Sequence, residues 1–238
     1  MTSEKEELFR QFARIGNALA SPRRLRLIGL LTHGVKPVEE LARLTSQSMA
    51  ATSSHLKVLR SSGLVLSDKR GHHVDYRLAL PAVTNFWLSL QDLSADLLPE
   101  VRELRAAFHD EALSPLDPQG LERECERGKV VLVDLRPASE FTQGHLPGAR
   151  NVPVDSLEAM MSELKKLSKR HRIYVYCRGR YCLIAFEGVK KLRSAGVPAR
   201  RLLFSVPEWR AAKDRMVGSE AVRGLHVHGG PSSIDSEH

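Results

Sequence analysis

Apolar residues in the first half of the chain recur at spacings of three and four residues, the period of an amphipathic helix. The pattern predicts five helices, over residues 8–19, from 22 onward, and over 37–44, 49–62 and 82–110. Ser48 precedes the fourth helix as an N-cap residue, and Gly63 follows it as a stop signal. Between the last two helices, residues 64–80 change to strand-like alternation around a polar turn, which predicts a β-hairpin.

The second half of the chain alternates short runs of β-branched and aromatic residues with helical periodicity. The strand-like runs lie at 130–133, 173–176 and 201–204, and the helical patterns between them lie at 155–167 and 182–195. Continuous apolar strands that alternate with helices indicate a parallel sheet covered by helices on both faces. This half is therefore expected to be an α/β domain.

Two prolines, Pro115 and Pro118, separate these patterns and mark a domain boundary. We expect two domains: a mostly α-helical one over 1–112 and an α/β one over 113–217. Residues 218–238 collect glycines, serines, acids and histidines, which predicts a disordered tail.

Composition and charge exclude several classes of protein. No apolar run is long enough to span a bilayer, and the start of the chain has no signal-peptide core. Three cysteines cannot form a disulfide framework, which favours a reducing cytoplasm. The formal net charge is +8, and residues 8–91 contain twelve Lys and Arg against four acidic residues. A basic excess of this kind is typical of a module that binds a polyanion.

The order of elements in the first half, a short helix, a turn, a helix and a hairpin, is that of a winged helix-turn-helix. The helix from Met49 would then lie in the major groove of DNA, with Leu56 and Leu59 anchored in the core. The side chains expected to reach bases and phosphates are Thr52, Ser54, His55 and Lys57 on this helix, and Lys69 and Arg70 at the wing tip. The alternative is a helical bundle with ordinary solvated lysines.

Two segments of this half, 17–27 and 53–65, resemble the ArsR-type family of small dimeric bacterial repressors. The resemblance covers roughly residues 8–105 and implies binding to double-stranded operator DNA. It also implies a homodimer formed through the first and last helices. The last helix offers an apolar stripe for that use, made of Phe86, Leu90, Leu93, Leu97 and Leu104. The alternative is that these residues simply pack within their own domain.

Members of that family often sense metals through cysteines before the turn, or through His and Asp on the last helix. Here residues 38–45 contain no cysteine, and His109 is too far from Asp92 and Asp96 to form a close set. The remaining histidine pairs are assigned to solvent, phosphate or the tail: His72–His73, His226 and His228. We therefore expect no metal site, and nothing in the sequence indicates a cofactor.

Cys177 directly follows a predicted strand, and the next helix begins close to Cys182. A thiol at such a junction faces free backbone N–H groups and the positive end of a helix dipole, which favour the thiolate. Arg178 and Arg180 add positive charge on either side of Gly179 and would be out of place around an inert core cysteine. We expect a nucleophilic sulfur at Cys177 that accepts a transferred sulfur atom as a persulfide.

Residues 117–217 resemble the rhodaneses. The resemblance is carried, in register, by VDLR at 133–136, EF at 140–141, GHLPGA at 144–149, CRGRYC at 177–182 and PEW at 207–209. It implies a persulfide on the first cysteine of the loop, which is Cys177, and a structural supporting role for Asp134 and Arg136. Many rhodaneses end this loop with arginine where the chain has Cys182, which weakens the expectation of thiosulfate turnover. Phosphatases and arsenate reductases of similar fold use a loop one residue longer that ends in arginine, so their chemistry is disfavoured.

The other two cysteines receive different expectations. Cys182 lies five positions after Cys177 and is expected to act as a resolving thiol, giving an intraloop disulfide or a bridge with additional sulfur. The alternative is that Cys182 packs inward and never reacts. Cys125 lies in a helical pattern at 121–127, on a helix expected to pack against the sheet, and is expected to be structural.

These features support three hypotheses about function. The leading one is a cytoplasmic, homodimeric transcriptional regulator whose rhodanese domain senses or relays reactive sulfur through a Cys177 persulfide. The sulfur donor would be a compound such as thiosulfate or a persulfide. The second is a rhodanese-type sulfurtransferase whose winged helix mainly localises or dimerises it. The third is a repressor whose rhodanese domain is a relic or a protein-docking module.

Overall fold

The computed structural model describes residues 2–71, 73–106 and 112–214, which form two domains. The first domain contains six helices and a small sheet. In chain order its elements are α1 (Thr2–Leu19), α2 (Pro22–Leu31), β1 (Lys36–Pro37), α3 (Val38–Thr45), α4 (Met49–Ser61), β2 (Val65–Arg70), β3 (His73–Leu78), α5 (Pro81–Leu97) and α6 (Pro99–Ala106). The winged helix-turn-helix predicted from the sequence is confirmed.

The core of the first domain lies between α2, α3, α4 and the hairpin. Its leucines come from the apolar stripe of each helix, and Leu27, Leu41, Leu56 and Leu59 are all 0% exposed. Burial of each such side chain stabilises the fold by about 2 kcal/mol. The Ser48 Oγ accepts a hydrogen bond from the Ala51 N–H, so the predicted N-cap of α4 is present.

The hairpin is the wing, and its strands pair antiparallel with Ser67 opposite Tyr76. The two-residue strand β1 adds to the other side of β3, giving the order β1-β3-β2. β1 was not predicted, because a two-residue strand has no periodicity to detect. It attaches the chain before α3 to the wing.

The second domain is a four-stranded parallel sheet in the order β5-β4-β6-β7, flanked by helices. Its elements are α7 (Pro118–Glu126), β4 (Val130–Asp134), α8 (Ala138–Phe141), β5 (Arg150–Asn151), α9 (Leu157–Ser168), β6 (Arg172–Tyr176), α10 (Leu183–Ser194), β7 (Ala199–Arg201) and α11 (206–214). A short 3-10 turn, Val154–Ser156, precedes α9. The α/β architecture expected for this half is confirmed.

Alternate residues along the central strands enter two separate apolar cores, as the pleat of a strand requires. Val133 and Val175 face one core, while Leu132 and Tyr174 face the other. Strands buried on both faces account for the unbroken apolar runs in the sequence.

Two predicted elements differ from the structure. The long helix expected over 82–110 is interrupted at Leu98, which is extended because Pro99 disfavours a helical conformation in the residue before it. The strand expected at 201–204 is instead Ala199–Arg201, and Leu202 and Phe204 pack into the second core beyond its end.

The chain between the domains joins the second sheet. Leu113 forms a parallel bridge with Arg201, and the Ser114 N–H donates to the Arg201 carbonyl at 2.8 Å. Among the described residues, no helix combines the length and apolar character needed to cross a bilayer. The domain limits 1–112 and 113–217 stay predictions, and the tail over 218–238 lies outside the described residues.

Candidate functional site

The loop from Cys177 to Cys182 connects β6 to α10 at the carboxyl edge of the parallel sheet. Cys177 is 1% exposed, and its carbonyl accepts a hydrogen bond of 2.5 Å from the Ser205 Oγ. Gly179 has a φ of +89°, and a Cβ there would lie 2.5 Å from the Glu208 Oε1. A glycine is therefore required at this position for both conformation and space.

The two thiols of the loop are neighbours but have different surroundings. Cys182 is the N-cap residue of α10 and is half-buried, whereas Cys177 packs within the first core of the sheet. The Cys177 thiol and the backbone N–H groups of Arg178 and Ala185 surround the Cys182 sulfur. These are the free N–H groups and the positive helix end invoked for Cys177 from the sequence.

The environment of the loop favours the charged form of Cys182 over that of Cys177. The neighbouring Cys177 thiol, aided by the backbone N–H groups, lowers the pKa of Cys182 to about 6 against the effect of burial. The Cys182 side chain, together with burial, raises the pKa of Cys177 well above its usual value. The positive end of α10, which begins at Leu183, thus adjoins the second cysteine, and the nucleophilic role expected for Cys177 stays a prediction.

Both arginines of the loop form ion pairs with carboxylates. The Arg178 guanidinium donates to Glu140, with Nη2 2.6 Å from Oε1, and its side chain is only 13% exposed. Arg180 donates to the Asp92 Oδ1 of the first domain at 2.5 Å. Their positive charge is thus largely matched, which leaves less of it for an anion in the loop than the sequence indicates.

Glu140 connects the loop to the first domain. Its side chain is 0% exposed, and the Lys36 Nζ, in β1, lies 2.9 Å from its Oε1. Burial opposes the charged form, but the hydrogen bonds and charges of Arg178 and Lys36 hold the pKa of Glu140 below its usual value. Lys36 and Glu140 with Arg178 form a buried chain of ion pairs, which we call the interdomain bridge.

Nothing in the sequence pattern singles out Lys36, which stands between a glycine-containing turn and a proline, as a solvated loop lysine would. A second contact lies beside it. The Val35 N–H donates to the Gln143 Oε1 at 2.6 Å, and the Gln143 Nε2 donates back to the Val35 carbonyl at 3.1 Å. The domains thus meet through specific polar contacts at the adjacent residues Val35 and Lys36.

Asp134 and Arg136 form a buried pair below the loop. The Arg136 Nη2 lies 2.6 Å from the Asp134 Oδ2 and also donates to the Gly144 carbonyl at 2.8 Å. The Arg136 guanidinium lies 5.6 Å from the ring centroid of Tyr176, the residue that precedes Cys177 in the chain. These contacts fit the supporting role predicted for the pair.

The candidate DNA-binding face includes the exposed side of α4. Ser54 and Lys57 are exposed there, and Lys69 is exposed on the wing. Thr52 is different: it is 0% exposed, and its Oγ1 donates to the Ser48 carbonyl at 3.0 Å. The expectation that Thr52 reaches DNA is wrong, because it lies on the core side of α4 together with Leu56.

His55 is partly buried, and burial together with the charges of Arg24 and Arg23 lowers its pKa. The start of α2 therefore brings two arginines to the same surface, which the sequence analysis did not assign. The Arg70 side chain and His72 lie outside what the structure describes, and so does His109.

The first domain exposes apolar side chains on α1 and along α5 and α6. The side chains on these helices that are about half exposed or more are Leu8, Phe9, Phe12, Phe86, Leu93, Leu97 and Leu104. Leu90, also predicted for the stripe, is half-buried. These side chains lie outside the core of the domain, and an exposed apolar surface of this extent is typical of an interaction surface.

Two further expectations concern metals and Cys125. Cys125 is exposed on α7, so the structural role expected for it is wrong, although α7 itself packs on the sheet through Leu121. Within 2–71, 73–106 and 112–214, no group of three or more His, Cys, Asp or Glu side chains is arranged to hold a metal ion.

Comparison with known proteins gives two family matches. The family described as "Bacterial regulatory protein, arsR family" matches residues 21–67, and that described as "Rhodanese-like domain" matches residues 117–212. The HTH-type transcriptional regulator Rv0324 of Mycobacterium tuberculosis is 35% identical over 211 residues, 89% of this chain and 92% of that protein.

Two further relatives each match one half. The tRNA sulfurtransferase of Pyrobaculum aerophilum is 29% identical over 124 residues, which are 50% of this chain and 25% of that protein. A solution NMR structure of the homodimeric winged helix-turn-helix DNA-binding domain Mb0332 from Mycobacterium bovis is 33% identical, with a TM-score of 0.39. It covers 42% of this chain and 93% of that chain.

The matches confirm the two resemblances drawn from the sequence, in the same order along the chain. The similarity to the mycobacterial regulator extends through both domains. This chain therefore belongs to the ArsR family of bacterial regulatory proteins, as a transcriptional regulator with a C-terminal rhodanese domain.

Proposed function

We propose that this regulator controls transcription in response to reactive sulfur, which it detects through the pair Cys177 and Cys182. It binds operator DNA as a homodimer, with α4 in the major groove and the wing on the adjacent backbone. Addition of sulfur to the cysteine pair changes the affinity for DNA. The site of the chemistry and the site of DNA binding thus lie in different domains of one chain.

The observation that carries this proposal is the interdomain bridge. Formation of a disulfide in the loop removes the thiolate charge beside Arg178, and Arg178 shares Glu140 with Lys36. Lys36 lies in β1, immediately before α3, and α3 packs against α4. A change in the relative strength of the ion pairs that Glu140 forms with Lys36 and Arg178 therefore acts on α3 and α4, the helix pair that binds DNA.

The exposed apolar surface of α1, α5 and α6 supports the homodimer. Two copies of α4 are needed to read both halves of a symmetric operator, and closed two-fold pairing is the commonest way to present them. Covering this surface in a partner removes large apolar side chains from water, as at Phe12 and Leu97.

The test is a DNA-binding titration of the full chain on the promoter fragment upstream of its own gene, with and without glutathione persulfide. We expect the dissociation constant to change by about tenfold or more on treatment. The Cys177→Ala and Cys182→Ser variants should bind DNA but lose the response, whereas Cys125→Ser should keep it. An unchanged response in the double variant Cys177→Ala/Cys182→Ser would overturn the proposal.

A second candidate function is sulfur transfer to an acceptor, with the winged helix serving to localise or dimerise the enzyme. It is favoured by the match of one half to a tRNA sulfurtransferase, which extends over 124 residues. Multiple turnovers with thiosulfate, together with DNA binding that ignores the sulfur state, would support it. Cys182 at the end of the loop, where many rhodaneses have arginine, disfavours it.

A further inference from the structure

A cleft of about 350 Å3 lies between the two domains, beside the cysteine loop. The first domain contributes Arg26, Leu30 and Trp87 to its walls, and the second contributes Cys182 and Ile184. Cys177 is not among the lining residues and is 1% exposed. The two thiols are thus unequal in access: only Cys182 faces the cleft.

The walls of the cleft combine apolar surface with three arginines, Arg26, Arg178 and Arg180. Trp87, Leu30 and Ile184 supply the apolar part. Arg178 and Arg180 are paired with Glu140 and Asp92. The Arg26 guanidinium donates only to the Leu44 and Thr45 carbonyls and, within the described chain, pairs with no carboxylate, so its charge is the one that an anion can match.

Among the other polar groups that face the cleft, Glu208 and His33 bear on what it can bind. Glu208 lines it, but its Oε2 already accepts a hydrogen bond from the Ser205 N–H at 3.0 Å. His33 lines it too, and its buried Nδ1 has no hydrogen-bond partner in the part of the chain that the structure describes. Buried polar atoms are normally satisfied, so this one indicates a group that completes the site.

We infer that the cleft binds a low-molecular-weight organic persulfide that carries a carboxylate, and that Cys182 is the first acceptor of its sulfur. The inference rests on the proposed function and names its ligand class. The carboxylate would pair with Arg26, and the carbon skeleton would lie on Trp87. The cleft volume of about 350 Å3 is suited to a small organic persulfide and is larger than an inorganic sulfur donor needs.

The reaction follows from the positions of the thiols. The Cys182 thiolate attacks the outer sulfur of the donor R–S–SH, forming a Cys182–S–SH persulfide while the donor S–S bond breaks and R–S⁻ leaves. The Cys177 thiol then attacks the inner sulfur of that persulfide and forms the Cys177–Cys182 disulfide. Hydrogen sulfide leaves with the proton of Cys177 and the proton of the persulfide. Two thiols are oxidised and one sulfane sulfur is reduced, so electrons balance.

This order reverses the roles expected from the sequence, in which Cys177 takes the sulfur and Cys182 resolves it. It agrees with the electrostatics of the loop, since the pKa of the accessible cysteine, Cys182, is the lowered one. It also places the donor in contact with both domains before any covalent change occurs.

The experiment uses the full chain in a Cys125→Ser background, treated with glutathione persulfide and analysed by differential alkylation and mass spectrometry. Cys177→Ala should trap the added sulfur on Cys182. Cys182→Ser and Cys182→Ala should take up sulfur about 100-fold more slowly. Arg26→Gln and Trp87→Leu should slow uptake from glutathione persulfide about tenfold but leave uptake from inorganic hydrodisulfide unchanged. Arg43→Gln, a change of another exposed arginine in the same domain, is the matched control.

Operator binding is measured on the same samples, which separates this inference from the proposed function. Sulfur on Cys177 at the wild-type rate in the Cys182 variants would overturn the inference, and the function would stand if DNA binding still responded. Equal slowing of both donors by Arg26→Gln would overturn the assigned ligand class. Sulfur on Cys182 without any change in DNA binding would support the first acceptor and overturn the function.

Discussion

Lys36 of the DNA-binding domain and Glu140 of the rhodanese domain form an ion pair with both side chains at most 1% exposed, Nζ lying 2.9 Å from Oε1. Two charges are removed from water at a surface where domains of one chain meet. Such a pair is costly to break from one side, because the remaining charge stays buried without its partner. Loss of either partner therefore destabilises the arrangement of the domains seen here.

The Lys36→Met variant tests this pair. We expect it to lower the free energy of unfolding by about 3 kcal/mol, because Glu140 retains only Arg178. The variant should still bind DNA, but sulfur treatment should no longer change the affinity. Urea unfolding and DNA titration measure the two effects. The matched control is Arg150→Met, which removes a half-exposed pair with Glu163 and should cost less than about 1 kcal/mol. A sulfur response that persists in Lys36→Met would exclude the bridge as the route of coupling.

The reactivity of Cys182 should depend on pH at unusually low values. Its pKa is about 6, so the thiolate fraction and the rate of iodoacetamide labelling should rise through about pH 6. Cys177 should label only in strongly alkaline solution, because its pKa is raised. Cys177→Ala removes the neighbouring thiol and should move the Cys182 midpoint upward. The measurement is peptide-resolved labelling in a Cys125→Ser background. An unchanged pH midpoint of Cys182 labelling in Cys177→Ala would contradict the effect of the Cys177 thiol on the pKa of Cys182.

His33 should make the protein sensitive to mild acid. Burial lowers its pKa from 6.5 to about 3, so the folded protein keeps it neutral while the unfolded chain protonates it below pH 6.5. The contribution of His33 to stability is therefore complete above pH 6.5 and is lost as the pH falls toward 3. The loss is about 1.4 kcal/mol per pH unit. His33→Leu should show a shallower decline than wild type between pH 6.5 and 5 in urea unfolding, and parallel curves would refute the assignment.

The exposed face of α4 should determine affinity for DNA. We expect Lys57→Ala to weaken operator binding about tenfold. The number of counterions released on binding, read from the salt dependence of the affinity, should fall by about one, because one phosphate contact is lost. His55→Ala should weaken binding without unfolding the domain. Lys166→Ala, an exposed lysine on α9, is the control. Equal affinity for wild type and both α4 variants would mean that another element enters the groove.

The exposed stripe of α1 should hold the dimer together. Phe12 is 58% exposed, and Phe12→Glu would place a charge where a partner packs, so we expect monomers in light scattering and loss of operator binding. Leu80 is 64% exposed and lies outside the helices of the stripe, so Leu80→Glu should remain dimeric. A dimeric Phe12→Glu protein would place the interface elsewhere.

Much of this arrangement could be predicted because its signals are local. Caps and periodicity at Ser48 and Gly63 bound the helix of the DNA-binding face, and the loop between Cys177 and Cys182 follows a buried strand. Thr52 shows the limit of such reasoning, since a polar residue on the core side of a helix satisfies its hydroxyl on the backbone one turn earlier.

The remaining features depend on contacts between distant parts of the chain. Lys36 and Glu140 are 104 positions apart, and neither sequence neighbourhood differs from that of a solvated charge. The start of α10 near Cys182 was predictable, but the different surroundings of the two cysteines depend on how the folded loop packs: Cys177 enters the core of the sheet, and Cys182 lies at the helix end.

The bridge between Leu113 and Arg201 makes the interdomain segment part of the rhodanese sheet. The Arg201 N–H donates to the Ala112 carbonyl at 2.7 Å, and the Ser114 N–H donates to the Arg201 carbonyl. β7 is therefore not an open edge, and its backbone is protected from pairing with another chain. A rhodanese half cut at Pro115 would expose that edge and invite aggregation, whereas one that starts before Ala112 carries its own protective cover.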